Sequence, residues 1–186
     1  MRSTRFLFGC LLTSIASLMS CPTYGQVIPD QTLQSESSTL TENTVIRGES
    51  ANLIEGGATR GSNLFHSFRT FSIPASERVY FANPTDIESI ISRITGDEVS
   101  NIFGTLGVAG DADLYFINPN GIFFGETANL DINGSFYATT AGAIQLGEGL
   151  FSATTPELSQ LLAIKPEASF LNYLSENRPS DASLAD

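Results

Sequence analysis

Few side chains in this sequence are equipped for chemistry, and their spacing sorts them. His66 is the only histidine, and it lies in an aromatic run with no cysteine or second histidine beside it. It therefore reads as a packed structural residue and not as a metal ligand. Asp111, Asp113 and Asp131 are carboxylates that could act as an acid and base pair on a polysaccharide. They lack the oxygen-ligand spacing of a calcium loop, and too few basic residues lie near them to bind an acidic sugar. No nucleophile elbow, phosphate-binding loop or dinucleotide fingerprint occurs. No catalytic, cofactor-binding or metal-ligating residue is assigned, and the chain is read as a non-enzyme.

The residues with the most specific spacing are Asn118, Pro119, Asn120, Gly121 and Ile122, and what they specify is geometry. Leu114 to Ile117 and Ile122 to Phe124 are β-branched and aromatic runs, the signature of strands. Between them, Asn118 can accept backbone hydrogen bonds and Pro119 presets φ near about −65°. Asn120 or Gly121 suits the left-handed conformation that closes the turn. With proline after the first asparagine, a corner between two strands of one coil is as consistent with the residues as a hairpin.

Elements that could position this corner must come from a single domain. The chain has 186 residues, 41% of them hydrophobic, enough for one sizeable core. Met1 to Arg5 is basic and an apolar run to Met19 follows, with Thr23 and Gly25 placed for cleavage, so residues 1–25 read as a signal peptide. Cys10 and Cys21 both lie in it, leaving a cleaved chain free of disulfides. Lipidation of Cys21 is the alternative, since Leu18 to Cys21 resembles a lipoprotein box. The net charge is −11, and loss of Arg2 and Arg5 with the leader takes it to −13. Such a surface repels nucleic acid and anionic membranes. No later stretch is long and apolar enough to span a bilayer as a helix, and the chain is expected to be a monomer.

Beyond residue 80 a long repeat emerges. Phe81, Phe103, Phe124 and Leu146 are spaced 22, 21 and 22 residues apart, and Ile87, Val108, Leu130 and Phe151 are spaced 21, 22 and 21 apart. Short apolar strands with glycine punctuation at that period predict stacked coils, and a ladder of Phe81, Phe103 and Phe124 inside them. Pro84 to Ile94 carries isoleucines at helical spacing, but β-branched residues dominate it and coiled strand is preferred. The fold class predicted is all-β, a parallel β-helix. The polar stretch before Val45 is expected to cap the first coil, because an open coil end exposes unpaired backbone.

One feature exceeds what a coil wall needs. Both faces of Leu114 to Ile117 and of Ile122 to Phe124 are apolar, so a loop or small extra sheet must cover the outer face, or else a partner docks there. Pro156 to Asn172 changes pattern, with a short helix expected over Glu157 to Ala163. A polar tail follows to Asp186.

Five ordered blocks carry a family resemblance. They are Gly61 to Phe68 with Phe71 to Ile73, Ile90 to Gly96, Ser100 to Leu106, Asn118 to Gly125 and Gly134 to Thr140. From about Val27 to Thr155 this order resembles the amino-terminal two-partner secretion (haemagglutination activity) domain of filamentous haemagglutinin-like exoproteins. The resemblance implies a right-handed parallel β-helix at residues 26–155, exported through the periplasm and recognised by an outer-membrane barrel transporter with POTRA domains. It implies passage through that barrel unfolded, secretion or display at the cell surface, and an adhesin-related role. Asn118 to Ile122 matches the family's secretion signature. Family members usually run on into a long adhesive or toxic passenger, whereas the last thirty residues here match nothing in that pattern. The alternative function is a carbohydrate-binding or carbohydrate-cleaving β-helix.

Overall fold

In the computed structural model, residues 26–147, 149–158 and 168–171 are described. The expected leader with Cys10 and Cys21, most of the expected helix at Glu157 to Ala163 and the tail expected from Asn172 lie outside these residues. Pro156–Leu158 forms a single 3-10 turn. Among the described residues no helix is long and apolar enough to cross a membrane.

The chain is a parallel β-helix of about four turns. It opens with three elements that run against the later strands: β1 (Val27–Pro29), β2 (Ser38–Ile46) and, further on, β4 (Ala58–Arg60). The coil proper starts with β3 (Glu49–Gly56) and β5 (Asn63–Phe71), then passes through Ile73. Its second turn is β6 (Arg78–Phe81), β7 (Ser89–Ile94) and β8 (Ser100–Ile102). The third is β9 (Thr105–Val108), β10 (Asp113–Ile117) and β11 (Ile122–Phe124), and the last is β12 (Asn129–Asp131) and β13 (Phe136–Thr139). The strands therefore stack as three walls, β3-β6-β9-β12, β5-β7-β10-β13 and Ile73 with β8-β11. All pairings within the walls are parallel.

Inward side chains build the core by stacking like on like. Leu64, Ile90, Leu114 and Phe136 lie in register on one wall, and Val79, Leu106 and Leu130 on another. Phe68, Phe71, Phe81 and Phe116 fill the centre, with Phe71 and Phe81 stacked at 5.9 Å and Phe71 edge-on to Phe116 at 4.9 Å. Ring contacts of this kind add about 0.5–1.5 kcal/mol per pair beyond the burial of area.

The ladder expected from the spacing of 22 is not the one formed. Phe81 is fully buried beside Val108, while Phe103 is 39% exposed and Phe124 pairs with Ile102. Likewise Val108 does not sit over Leu130, whose neighbour is Leu106. The reason lies in the corners. The corner between β6 and β7 takes seven residues, 82–88, and those between β9 and β10 and between β12 and β13 take four each. Along the Leu64 ladder the repeat accordingly shortens from 26 to 24 to 22 residues.

Two other expectations are met. The preference for strand in Pro84 to Ile94 is realised in β7. The first turn is capped, since β2 runs antiparallel along β3, while β1 and β4 divide the free edge of β5.

The outer face of the β5-β7-β10 wall is covered by a small extra sheet, as the doubly apolar strands require. It comprises β14 (Ala143–Leu146), β15 (Gly149–Ser152) and β16 (Ala168–Leu171), with β15 and β16 antiparallel to β14. Ile144, Leu146 and Phe151 from this sheet bury Phe65, Ile91 and Ile117. Among the described residues no such cover reaches β11, where Phe123 is 52% exposed.

Candidate functional site

The corner at Asn118 to Ile122 joins β10 to β11 on different walls, so it is a bend of the coil and not a hairpin. The Gly121 amide donates to the Asn118 carbonyl at 3.1 Å, closing a turn with Pro119 and Asn120 at its centre. Asparagine first, proline second and glycine fourth is the residue order a type I turn favours. The positive φ falls on Gly121, at +122°, and not on Asn120.

Asn118 is fully buried, and its side chain is spent on holding two turns of the coil together. Its Nδ2 donates to the Glu98 carbonyl and to Ser100 Oγ, both at 2.9 Å. Its Oδ1 accepts the Asn120 amide at 2.9 Å. Its own amide donates to the Thr139 carbonyl of the following turn at 3.0 Å. Asn120 reaches back with Nδ2 to the Gly96 carbonyl at 2.7 Å, and Ile122 pairs with Ser100. An amide side chain is needed here, because a carboxylate offers acceptors only and could not satisfy the Glu98 carbonyl.

The residues weighed for catalysis or metal binding are engaged separately. The Asp111 amide donates to Asn83 Oδ1 at 2.9 Å, and its carboxylate accepts Asn133 Nδ2 at 2.9 Å, so it belongs to an amide ladder along one corner. Asp113 accepts the Ser135 amide at 2.6 Å. Asp131 accepts the Tyr80 hydroxyl at 2.5 Å and pairs with Arg47. No group of three or more potential metal ligands forms among the described residues.

His66 points into the coil, fully buried, with Nδ1 3.0 Å from Ser38 Oγ and its ring 5.2 Å from that of Phe81. Burial pushes its pKa down to about 3, so the ring is neutral. Among the described residues neither His66 Nε2 nor Ser92 Oγ, its neighbour across β5 and β7, has a hydrogen-bond partner.

The buried charge that sequence reasoning did not single out is Arg93, on the outer face of β7. Its Nε donates to Ser67 Oγ at 2.9 Å, Nη1 to the Ser152 carbonyl at 2.6 Å and Nη2 to Thr32 Oγ1 at 2.9 Å. The Ser67 and Thr32 hydroxyls in turn donate to Asp30, at 2.8 and 2.6 Å, and Thr95 adds a third at 2.6 Å. The guanidinium also lies 4.1 Å from the Phe151 ring centroid, a cation–π contact. Burial lowers Arg93 to about 10, against the opposing pull of Asp30 and Glu157. For Asp30, burial raises the pKa but is outweighed by hydrogen bonds from Thr32, Thr95 and Ser67, which leave it below the usual carboxylate value. This relay ties the amino-terminal cap, the coil and the extra sheet together. Its sequence signal was an arginine in an otherwise isoleucine-rich strand, within Ile90 to Gly96.

A capped parallel coil with an extra sheet on one wall, and a buried asparagine corner joining its turns, defines a β-helical module. The family model for the TPS secretion domain matches residues 25–172, and the chain belongs to that family of two-partner secretion modules. The match runs past Thr155, through β16, into residues where no resemblance was expected. No curated protein matches the chain. The family is one of secretion modules and not a known catalytic family, and membership implies an outer-membrane transporter as partner.

Proposed function

We propose that this chain is the secretion module of a two-partner secretion exoprotein, recognised by a barrel transporter through periplasmic POTRA domains. The coil then seeds β-helix folding at the cell surface. In this reading residues 1–25 direct export to the periplasm, 26–155 form the secretion β-helix, and 156–186 follow it with a short helical segment, strand β16 and a polar tail. The product is secreted or held at the surface, with an adhesin-related role.

Asn118, Pro119, Asn120, Gly121 and Ile122 are the secretion motif. They act through corner geometry rather than through reaction chemistry. The observation that supports this is the complete burial of Asn118 with bonds to the turn before and the turn after. A residue so placed lets one turn template the next. Sequential stacking outside the cell would oppose backsliding through the barrel, and a chain without disulfides after leader removal is not locked before transit.

The test is secretion of the Asn118→Ala/Asn120→Ala protein in cells that carry the cognate transporter. Extracellular yield is expected to fall severalfold while periplasmic protein persists. Normal yield from the double variant would remove the motif assignment. Protease-resistant, folded wild-type protein in the periplasm during transport would remove the seeding step.

A further inference from the structure

We propose that Asn133-Gly134 is a site of covalent modification, at which the asparagine loses its side-chain amide by cyclising onto the chain. Two asparagines of the sequence are followed by glycine, Asn120 and Asn133. Glycine has no side chain to shield its amide nitrogen, so the neighbouring asparagine can approach it closely. Both asparagines are exposed, and access does not separate them. Hydrogen bonding does. The Gly121 amide, which would be the nucleophile at the first pair, donates to the Asn118 carbonyl at 3.1 Å. The Asn120 amide donates to Asn118 Oδ1 at 2.9 Å, and Asn120 Nδ2 donates to the Gly96 carbonyl at 2.7 Å. At the second pair the Gly134 amide has no hydrogen-bond partner among the described residues. The Asn133 side chain makes one bond there, from Nδ2 to Asp111 Oδ1 at 2.9 Å.

The step needs water as its one co-reactant. The Gly134 nitrogen gives its proton to hydroxide and attacks Asn133 Cγ, and the new C–N bond closes a cyclic imide. The Cγ–Nδ2 bond breaks, and the nitrogen leaves as ammonia with a proton taken from water. A second water then opens one of the two imide carbonyls. Opening at one gives aspartate, and opening at the other gives isoaspartate, in which the chain runs through Cβ.

Either product loosens the corner between β12 and β13 from the turn before it. Asn133 faces Asp111 as a donor, and a carboxylate in its place offers acceptors only. Like charges set directly opposite on neighbouring turns destabilise the stack. In isoaspartate the extra backbone carbon has to enter a corner already in contact with the preceding turn. A Cβ on Gly134 would fall 2.7 Å from the Ala112 carbonyl oxygen and 2.8 Å from that of Asp111. The inference stands whether or not the transporter reading does, because it rests on the two corners alone.

Incubation of the purified, folded protein in mildly alkaline buffer, followed by peptide mass spectrometry, tests it. Isoaspartate is expected at Asn133 about tenfold or more faster than at Asn120, where hydrogen bonds must break before the ring can close. In concentrated urea the two pairs should react at similar rates, and Asn133→Gln should silence the second site while Asn120 is unaffected. Asn133→Asp is expected to lower the urea midpoint, and Asp111→Asn in the same chain to restore it. Folded protein in which Asn133 reacts as slowly as Asn120, as when another segment lies over the corner, would overturn the proposal. So would faster reaction at Asn120, or a difference that persists in urea and so belongs to the flanking residues. An unchanged midpoint for Asn133→Asp, or no recovery with Asp111→Asn, would overturn the loosening of the corner.

Discussion

The hydroxyl of Tyr80 crosses the turn above it and donates to Asp131 Oδ2 at 2.5 Å. Tyr80, Gly107 and Asp131 lie in register on three successive strands, and the tyrosine ring occupies the space that a side chain at the middle position would fill. A Cβ on Gly107 would fall 2.3 Å from Tyr80 Cε1 and 2.9 Å from the Asp131 carbonyl oxygen. Gly107→Ala is therefore expected to cost about 1–3 kcal/mol by overpacking, read from the urea midpoint. Tyr80→Phe in the same assay separates loss of the hydroxyl from the clash. An unchanged midpoint for Gly107→Ala would show that the ring moves away freely.

Asn118→Asp keeps the shape of the corner and removes both donors. The Glu98 carbonyl loses its donor, and a buried acceptor left unpaired costs about 1–3 kcal/mol. Asn120 is exposed, so Asn120→Ala should cost less. Urea unfolding of the two single variants gives the order, and equal costs would count against the assigned roles.

Arg93→Lys is expected to destabilise despite preserving charge. An ammonium cannot present the forked donors that reach Ser67, Thr32 and the Ser152 carbonyl together. Because Ser152 belongs to the extra sheet, amide exchange in β14 and β15 should rise before exchange in β7 or β10. Uniform acceleration through the coil would mean that Arg93 supports the fold generally and does not fasten the extra sheet in particular.

Acid should unfold the protein through buried His66 and half-buried Asp30. His66 has a folded pKa depressed to about 3 against an ordinary value of 6.5, so its contribution is complete above pH 6.5 and is lost as pH falls toward 3. Within that window each pH unit removes up to about tenfold from the folded-to-unfolded ratio. Asp30, also lowered on folding, adds a further loss below its ordinary value of 3.8. In His66→Gln the loss between pH 6.5 and 4 should be much reduced. An unaltered pH profile in that variant would assign the acid sensitivity elsewhere.

The two phenylalanines expected to share a ladder should behave differently. Phe81→Ala empties a fully buried site and is expected to cost about 3–5 kcal/mol. Phe103→Ser, on the exposed wall, should cost far less, and calorimetry of the pair distinguishes the ladder observed from the one read at a spacing of 22. Similar costs would restore the simpler spacing.

Residue type together with an approximate period carried the fold class, and residue type carried the cap, the need for a cover over Ile117 and the corner at Asn118 to Gly121. Strand preference, turn preference and the polarity of a strand's two faces are local properties, and a stacked coil repeats them at every turn. Register was not legible. Which residue of one turn sits on which of the next depends on how many residues each corner absorbs, and that number runs from seven at 82–88 to four at 109–112.

The destinations of the polar side chains were likewise decided only when the chain closed on itself. Nothing near Asp131 in sequence points to Tyr80 and Arg47, and nothing near Arg93 points to Thr32 and Ser152. These partners lie 51 to 84 residues apart and meet because successive turns place distant segments about one strand spacing from each other. The sequence determined which residues want to be strand, corner or core. The tertiary structure decided which of them touch, because contact in a coil is set by the summed length of every turn between them.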